Sequence, residues 1–281
     1  MKRYLLCTDL DRTLIPNGPN PLCTPAPRLF RQLAAREELS LAYVTGRHRA
    51  LIESAIAEFD LPSPDFAIAD VGASIHEVCA QGWRPWRMWE EHIAPDWRGM
   101  NSEGLRKLLR GFLELRLQEK EKQAPFKLSY YVHLNADFRT LTSLIRERLA
   151  REGMRVNLIT SIDELAGIGL LDVLPQNAGK LNAIRFLMQR HNFSVHNTLF
   201  AGDSGNDLDV LLSDIPAVLV ANAAPEIKTQ TAHAKPETLY IAKGGYLGMN
   251  GNYSAGILEG VAHFWPEADA WLREFEPHKD E

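Results

Sequence analysis

The 281-residue chain is 45% hydrophobic and 24% charged, with a net charge of -5. These are ordinary values for a globular protein of about two domains, and they exclude wholesale disorder. The mild acidity leaves no basic footprint for nucleic acid, so an anionic ligand must meet positive charge concentrated locally, in a metal or a few Lys and Arg side chains. Cys7, Cys23 and Cys79 have no metal-ligand spacing and cannot all pair, which favours a reducing compartment. The apolar run after Met1-Lys2-Arg3 stops at Asp9, too early for a signal-peptide core, and no stretch approaches the roughly 20 apolar residues of a membrane span. A cytoplasmic protein with no membrane partner is expected.

Tyr4-Leu5-Leu6-Cys7 reads as a strand buried on both faces, and it runs directly into Asp9-Leu10-Asp11-Arg12-Thr13. Two carboxylates one residue apart repel unless a cation or a proton sits between them. The same five residues also suit an ordinary turn in which Asp11 or Thr13 caps a helix. Pro16 to Pro27 reads as a loop, followed by a helix from about Arg28 to Glu37. Leu39 to Val44 is a second strand ending in Thr45-Gly46-Arg47, a helix spans about Arg49 to Phe59, and Ala67 to Val71 is a third strand. This alternation predicts an α/β fold with a doubly wound parallel sheet of Rossmann-like type.

The pattern changes over residues 79–169. Trp83, Trp86, Trp89 and Trp97 lie close together. The first three fit a helical stripe, and rings of this size serve more often as packing anchors than as a platform for stacking on sugars. A long helix is predicted from about Glu103 to Lys122, a strand over Lys127 to His133, a helix from Leu141 to Arg151 and a strand over Arg155 to Thr160. This reads as a smaller α+β cap inserted as a lid into a core formed by residues 1–78 and 170–281. The parallel pattern is expected to resume with Leu170 to Pro175, followed by a helix that Gly179-Lys180 opens and that ends near His191. Thr198 to Ala201 is a strand leading into Gly202-Asp203-Ser204-Gly205-Asn206-Asp207, with a helix from Leu208 to Leu212, a strand from Pro216 to Val220 and a late helix from Ser254 to Phe264. The glycine-rich stretch Gly244 to Gly251 lacks phosphate-loop spacing and reads as a mobile surface loop. Glu276 to Glu281 reads as a frayed tail.

Asp9 with Asp11, Thr45 with Gly46 and Arg47, Lys180, and Asp203 with Asp207 thus fall at successive strand ends or at the helix after one. Alone, each has a bland reading: Thr45 caps a helix, Lys180 is solvated. Together they point to one site at the carboxyl edge of the sheet.

These motifs resemble those of the haloacid dehalogenase superfamily, and within it the sucrose-phosphate phosphatase-like branch. The branch resemblance rests on Lys127-Leu128-Ser129-Tyr130-Tyr131, on the run from Asp172 through Gln176-Asn177-Ala178-Gly179 to Lys180, and on Ala255 to Phe264. Two departures stand out: Arg12 where that family usually has Asn, and the glycine-rich run Lys243 to Asn252. The resemblance implies a Mg²⁺-dependent phosphatase acting on a small-molecule sugar phosphate, foremost sucrose 6-phosphate, with mannosylfructose phosphate and glycosyl-glycerate phosphate as alternatives. A phosphomutase and a non-catalytic sugar-phosphate sensor are the other readings, and a sensor has no need of paired acids. A monomer or weak oligomer is expected, with the synthase that would make the substrate as a candidate partner.

A phosphomonoester is a dianion, so a carboxylate nucleophile can approach it only if the charge between them is neutralised. Mg²⁺, a hard cation that takes carboxylate and phosphate oxygens, is assigned to Asp9, the backbone carbonyl of Asp11, and Asp203, with Asp207 as ligand or support. Asp9 is expected to attack phosphorus, giving an aspartyl-phosphate, and Asp11 to act as general acid and then base. Thr45, Gly46, Arg47 and Lys180 are expected to hold the phosphoryl oxygens. Lys127, Ser129 and Tyr131 alternate on one strand face and are expected at the sugar, unless that face is merely solvated. Gln176, Asn177 and Asn206 are further candidates at the site's edge.

Overall fold

A computed structural model describes residues 3–163 and 166–274, so the predicted tail from Glu276 lies outside the described residues. Strand β1 (Tyr4–Thr8) is apolar and buried over its last four residues. Helix α1 (Pro25–Ala34) buries Ala26, Leu29, Phe30 and Leu33, a stripe at helical spacing. It begins three residues earlier than Arg28 because proline is tolerated in a helix's first turn. Strand β2 (Leu39–Val44) is buried throughout, helix α2 (Arg49–Glu58) follows, and β3 (Phe66–Ala69) ends the first run of parallel strands. Strands β4 (Ser74–Cys79) and β5 (Gly82–Pro85) then extend the same sheet antiparallel.

Helix α3 (Arg87–Ile93) packs Trp89 and Ile93 into the core beneath the large sheet. Trp83, Trp86 and Trp89 therefore fall on a strand, a helix cap and a helix, not on one helical stripe. Trp89 and Trp97 are fully buried, as packing anchors are. Next come helix α4 (Ser102–Leu108) and strand β6 (Arg116–Leu117), where a single long helix was predicted. The chain leaves the helical path near Gly111, exposes Leu113, and returns to pair Arg116 and Leu117 with Tyr131 and Tyr130. Strand β7 (Leu128–Val132), helix α5 (Phe138–Arg151), strand β8 (Val156–Asp163) and strand β9 (Ile168–Pro175) complete a smaller sheet in the order β6-β7-β9-β8, antiparallel throughout. The run from Leu170 thus belongs to the cap and not to the parallel core. Its first six residues alternate in burial, which suits a sheet covered on one face.

The core resumes with α6 (Lys180–His191), β10 (Thr198–Gly202), α7 (Leu208–Leu211), β11 (Ala217–Leu219), α8 (Pro225–Gln230), β12 (Leu239–Ile241), α9 (Ser254–Phe264) and α10 (Pro266–Glu274). The large sheet has the order β12-β11-β10-β1-β2-β3-β4-β5, parallel from β12 to β3. The chain builds outward from β1 in one direction and from β10 in the other, so the order reverses between them. Ligand crevices of open α/β sheets form outside the carboxyl ends at such a reversal. Asp9 follows β1 and Asp203 follows β10 there.

The sheets divide elsewhere than at residues 79 and 169. The large sheet continues to Pro85, and the cap's own hydrophobic core runs from Trp97 to Val173. Asp96, buried just before the cap, accepts hydrogen bonds from the backbone N–H (2.7 Å) and side-chain amide (3.3 Å) of Asn177, just after it, and pairs with Arg155 of the cap. The two linkers are thereby tied together. The glycine-rich run is not a loose surface loop: Met249 is buried, and the Glu259 carboxylate accepts from the N–H groups of Lys243 and Gly244, each at 2.9 Å. Among the described residues no helix is long and apolar enough to cross a membrane.

Gly72, with φ at +87°, lies where the turn after β3 meets the linker into α6, and a Cβ there would fall 2.3 Å from the carbonyl carbon of Gly179. Gly72→Ala is expected to lower stability by about 2–4 kcal/mol, combining left-handed strain with backbone overlap. Urea denaturation checks this, and an unchanged midpoint with an unchanged slope would show that the contact is dispensable.

Candidate active site

Each acidic group of the site is delivered by a strand end. Asp9 continues β1, and its N–H still donates to Ala201 of β10 at 2.9 Å. Lys180 opens α6, is fully buried, and aims its ammonium at Asp9 Oδ1 (3.1 Å), Asp207 Oδ1 (2.7 Å) and Asn206 Oδ1 (2.7 Å). Asp207 also closes its own loop, its Oδ2 accepting from the N–H groups of Asp203 and Ser204 at 3.1 Å each. Asp203 accepts from the Thr13 hydroxyl at 3.0 Å, with Arg12 Nε 3.6 Å from its other oxygen.

Carboxylate oxygens of Asp9, Asp203 and Asp207, all buried, lie within 4.8 Å of one another. The Lys180 ammonium and the Arg12 guanidinium together do not balance three such groups. Burial pushes the Asp9 carboxyl well above its usual range; Lys180 opposes this, while Asp207, Asp203 and Asp11 add to it. Burial and the nearby Asp207 push Asp203 up to about 7. Lys180 is held charged: burial works against it, but Asp207 and Asp9 outweigh burial. An all-oxygen, electron-rich trio of this kind fits a hard divalent cation such as Mg²⁺.

Asp11 stands apart from this trio. Arg47 grips it with a two-pronged contact, Nε to Oδ2 at 2.8 Å and Nη2 to Oδ1 at 2.6 Å, and the Asn17 amide donates to Oδ1 at 2.7 Å. Burial tends to raise this carboxyl, but Arg47 and then Asn17 outweigh it and hold it below the usual range. Arg47, expected on phosphate, therefore rests on Asp11, because a planar guanidinium fork matches a carboxylate. Thr45 is buried at the same edge, its Oγ1 accepting from the Arg47 N–H at 3.2 Å.

These groups open on a cavity of about 1150 Å³ between core and cap. Asp9, Asp11, Thr45, Gly46, Arg47, Lys127, Asp203 and Asn206 line it, so the structure brings together most residues singled out by sequence. Lys180 and Asp207 stand directly behind. Lys127 reaches across from the cap, its ammonium 3.4 Å from the Gly46 carbonyl and 4.0 Å from Asp70.

Besides Lys180 and Asp207, four candidates do not line the cavity. Ser129 is buried, donating to Asp172 and to the Lys122 carbonyl, because residues 118–123 fold along its strand. Tyr131 donates to Glu119 at 2.8 Å and accepts from Lys122 at 2.7 Å. Asn177 is spent on Asp96, and Gln176 points into solvent beside it. Sequence reading missed Asp172, Asn157, Arg12, Asn17 and Asp209, which do line the cavity. Asp172 had a signal, since it opens the Asp172-to-Lys180 run and pairs in register with Ser129. Asn17 had none, being one polar residue in a proline-rich loop.

The sequence profile of a known family, sucrose-6F-phosphate phosphohydrolase, matches residues 2–265. The chain belongs to that family. A sucrose-phosphatase of Synechocystis sp. PCC6803, solved with sucrose and phosphate, superposes with a TM-score of 0.77 at 28% identity, covering 94% of this chain and 98% of that one. Sucrose-phosphatase 1 of Nicotiana tabacum is 30% identical over 93% of this chain, which spans only 59% of it. A protein of Nitrosococcus oceani, named only as a HAD-like hydrolase, is 50% identical over 96% of this chain and 74% of its own length. The sheet order, the inserted cap and the strand-end acids of this chain are those of a phosphohydrolase family member with the haloacid dehalogenase fold.

Without a divalent cation, the folded chain holds a proton on Asp203 between its ordinary value of 3.8 and about 7, where the unfolded chain has released it. Stability supplied by that proton is lost as pH rises through the window. The thermal midpoint of the cation-free protein is therefore expected to fall between about pH 5 and pH 8, and Mg²⁺ to raise it more at the higher pH. Equal Mg²⁺ effects at both values would show that the trio does not hold the ion.

Proposed function

We propose that this chain is a Mg²⁺-dependent phosphatase that releases phosphate from a sugar phosphate, with sucrose 6-phosphate as the leading substrate. The observation that carries this reading is the buried Asp9, one oxygen on the Lys180 ammonium, at the floor of a cavity that the cap closes over. Family membership and the sucrose-bearing Synechocystis relative point to the same substrate class. The cavity exceeds the roughly 300–1,000 Å³ usual for small-molecule sites, leaving room for a disaccharide.

Asp9, Asp203 and Asp207 would hold the cation, with the Asp11 carbonyl as a further oxygen. When bound, Mg²⁺ supplies the positive charge that lets a carboxylate meet a phosphate dianion. Asp9 attacks phosphorus in line, forming an O–P bond as the bond to the sugar oxygen breaks. Asp11 gives that oxygen a proton, then takes one from the water that cleaves the aspartyl-phosphate. Lys180 keeps Asp9 oriented and adds charge toward the phosphoryl oxygens, while the Thr45 hydroxyl lies at the cavity edge to bind one of them. Lys127, Asp172 and Asn157 are the cap-borne groups in reach of the sugar.

A second reading keeps the chemistry and changes the sugar. Arg12 adds a cation to the cavity wall where the resembling family usually has Asn, which favours a substrate with a further acidic group, such as a glycosyl-glycerate phosphate.

Phosphate release from a panel of sugar phosphates, with and without Mg²⁺, tests both readings. Sucrose 6-phosphate is expected to turn over fastest, and Asp9→Ala to lower kcat at least about 1,000-fold. Tight binding without turnover would favour a sensor, and a preference for the glycerate-bearing substrate would select the second reading.

A further inference from the structure

The glycine-rich run, which the resemblance leaves without a role, is packed against the loop that follows Asp11. Its base is held by Glu259, which also accepts from the Tyr240 hydroxyl at 2.8 Å, and the Gly251 carbonyl accepts from the Ala221 N–H at 3.0 Å. Its far end grips the loop: the side-chain amides of Asn250 and Asn252 donate to the Pro21 carbonyl at 2.9 and 3.1 Å, and the Tyr253 hydroxyl donates to the Asn20 carbonyl at 3.2 Å.

Two residues here hold backbone conformations that side chains disfavour, Tyr253 with φ 51° and ψ -131° and Arg12 with φ 60°. One buried amide, that of Asn222, joins them. Its Oδ1 accepts from the Tyr253 N–H at 2.8 Å, and its Nδ2 donates to the Arg12 carbonyl at 2.6 Å. The Arg12 N–H in turn donates to Asn17 Oδ1 at 2.8 Å, and Asn17 Nδ2 donates to Asp11 Oδ1 at 2.7 Å. Strain of this sort persists only where the surroundings over-determine it. The buried Tyr253 ring and the Asn222 amide supply that determination.

We propose that Asn222 is a positioning residue for Asp11, acting through the Arg12 backbone and the Asn17 amide, and that the glycine-rich run exists to hold Asn222 and this turn in place. The proposal rests on the reading of Asp11 as the acid that serves the leaving group. Arg47 takes both Asp11 oxygens with its fork. Asn17 adds a third contact at Oδ1, and Asn17 is oriented by the N–H of Arg12, the residue whose carbonyl Asn222 holds.

A sugar alkoxide needs a proton to leave, whereas p-nitrophenolate departs readily without one, so the two leaving groups separate loss of proton delivery from general damage. Asn222→Ala is expected to slow the first step, read in a single turnover as release of the leaving alcohol, about 10-fold or more on the sugar phosphate but within about 2-fold on p-nitrophenyl phosphate, whereas hydrolysis of the shared aspartyl-phosphate slows alike from either substrate. Asn17→Ala, at an exposed loop position that folding tolerates, is expected to show the same split. Equal losses in the first step on both substrates, or no loss on either, in variants with wild-type circular dichroism would overturn the proposal. An Asp9→Ala control separates the two claims: if phosphate release survives it, or wild type releases none, the phosphatase reading fails. The positioning claim is then decided by the crystal structure of Asn222→Ala, in which Asp11 leaves Asn17 if the claim holds and stays in place if it does not.

Discussion

The site depends on one buried ammonium. Lys180, with no solvent access, has Asp9, Asp207 and Asn206 around it, and its ammonium is the charge nearest to the two buried carboxylates. Breaking such a cluster by removing one partner leaves uncompensated buried charge, so its members constrain one another strongly. The fold meets the constraint by topology. Parallel strands β1 and β10 lie side by side, so residues that leave their carboxyl ends share one crevice, and α6 enters that crevice with Lys180 as its first residue. Three carboxylates face the Lys180 ammonium and, at 3.6 Å from Asp203, the Arg12 guanidinium, so negative charge stays in excess and the crevice suits a divalent cation.

The cap is coupled to the same residue. Its exit linker runs directly into Lys180, and that linker is fixed by Asp96, by the Asn157 amide donating to the Ala178 carbonyl at 2.9 Å, and by the contact of Gly72 with Gly179. Lys127 ties the cap to the Gly46 turn from the other side. A displacement of the cap would therefore pull on the segment that places the ammonium. This follows from where the insertion joins the sheet, between α3 and α6, rather than from any single contact.

Much of this was legible in the sequence because it is written in local patterns. Strand β2 and helices α6 and α9 match their predicted limits closely, since continuous apolar runs, a glycine before Lys180 and a helical stripe set them. The acids and Lys180 were legible because charged residues directly after buried strands have few structural uses. Long-range pairing was not legible. Leu170 to Pro175 has the composition of a core strand, and only its partners, β7 and β8, assign it to the cap. The predicted helix to Lys122 failed because leucine spacing does not reveal that residues 116 and 117 complete a sheet edge. Ser129 and Tyr131 do share a strand face with Lys127, but alternation cannot show that residues 118–123 cover that face.

Arg47 shows how one side chain can answer to two expectations. With its fork on Asp11 it keeps that carboxyl low, the ionised state that a base needs when water attacks an acyl phosphate. The first step asks for the opposite, a carboxyl that holds a proton to give away. A phosphate dianion arriving beside Asp9 brings negative charge near Asp11 and competes for the same guanidinium, and both effects raise the Asp11 pKa. Under the proposed mechanism the substrate would thus move the acid toward the protonation state that its departure requires, and phosphoryl transfer, by spreading that charge, would move it back. An acid tuned in this way must not swing away when Arg47 is shared. Asn17 is the second anchor that prevents it, which gives the proline-rich loop, and the glycine-rich run behind it, a reason to be held so firmly.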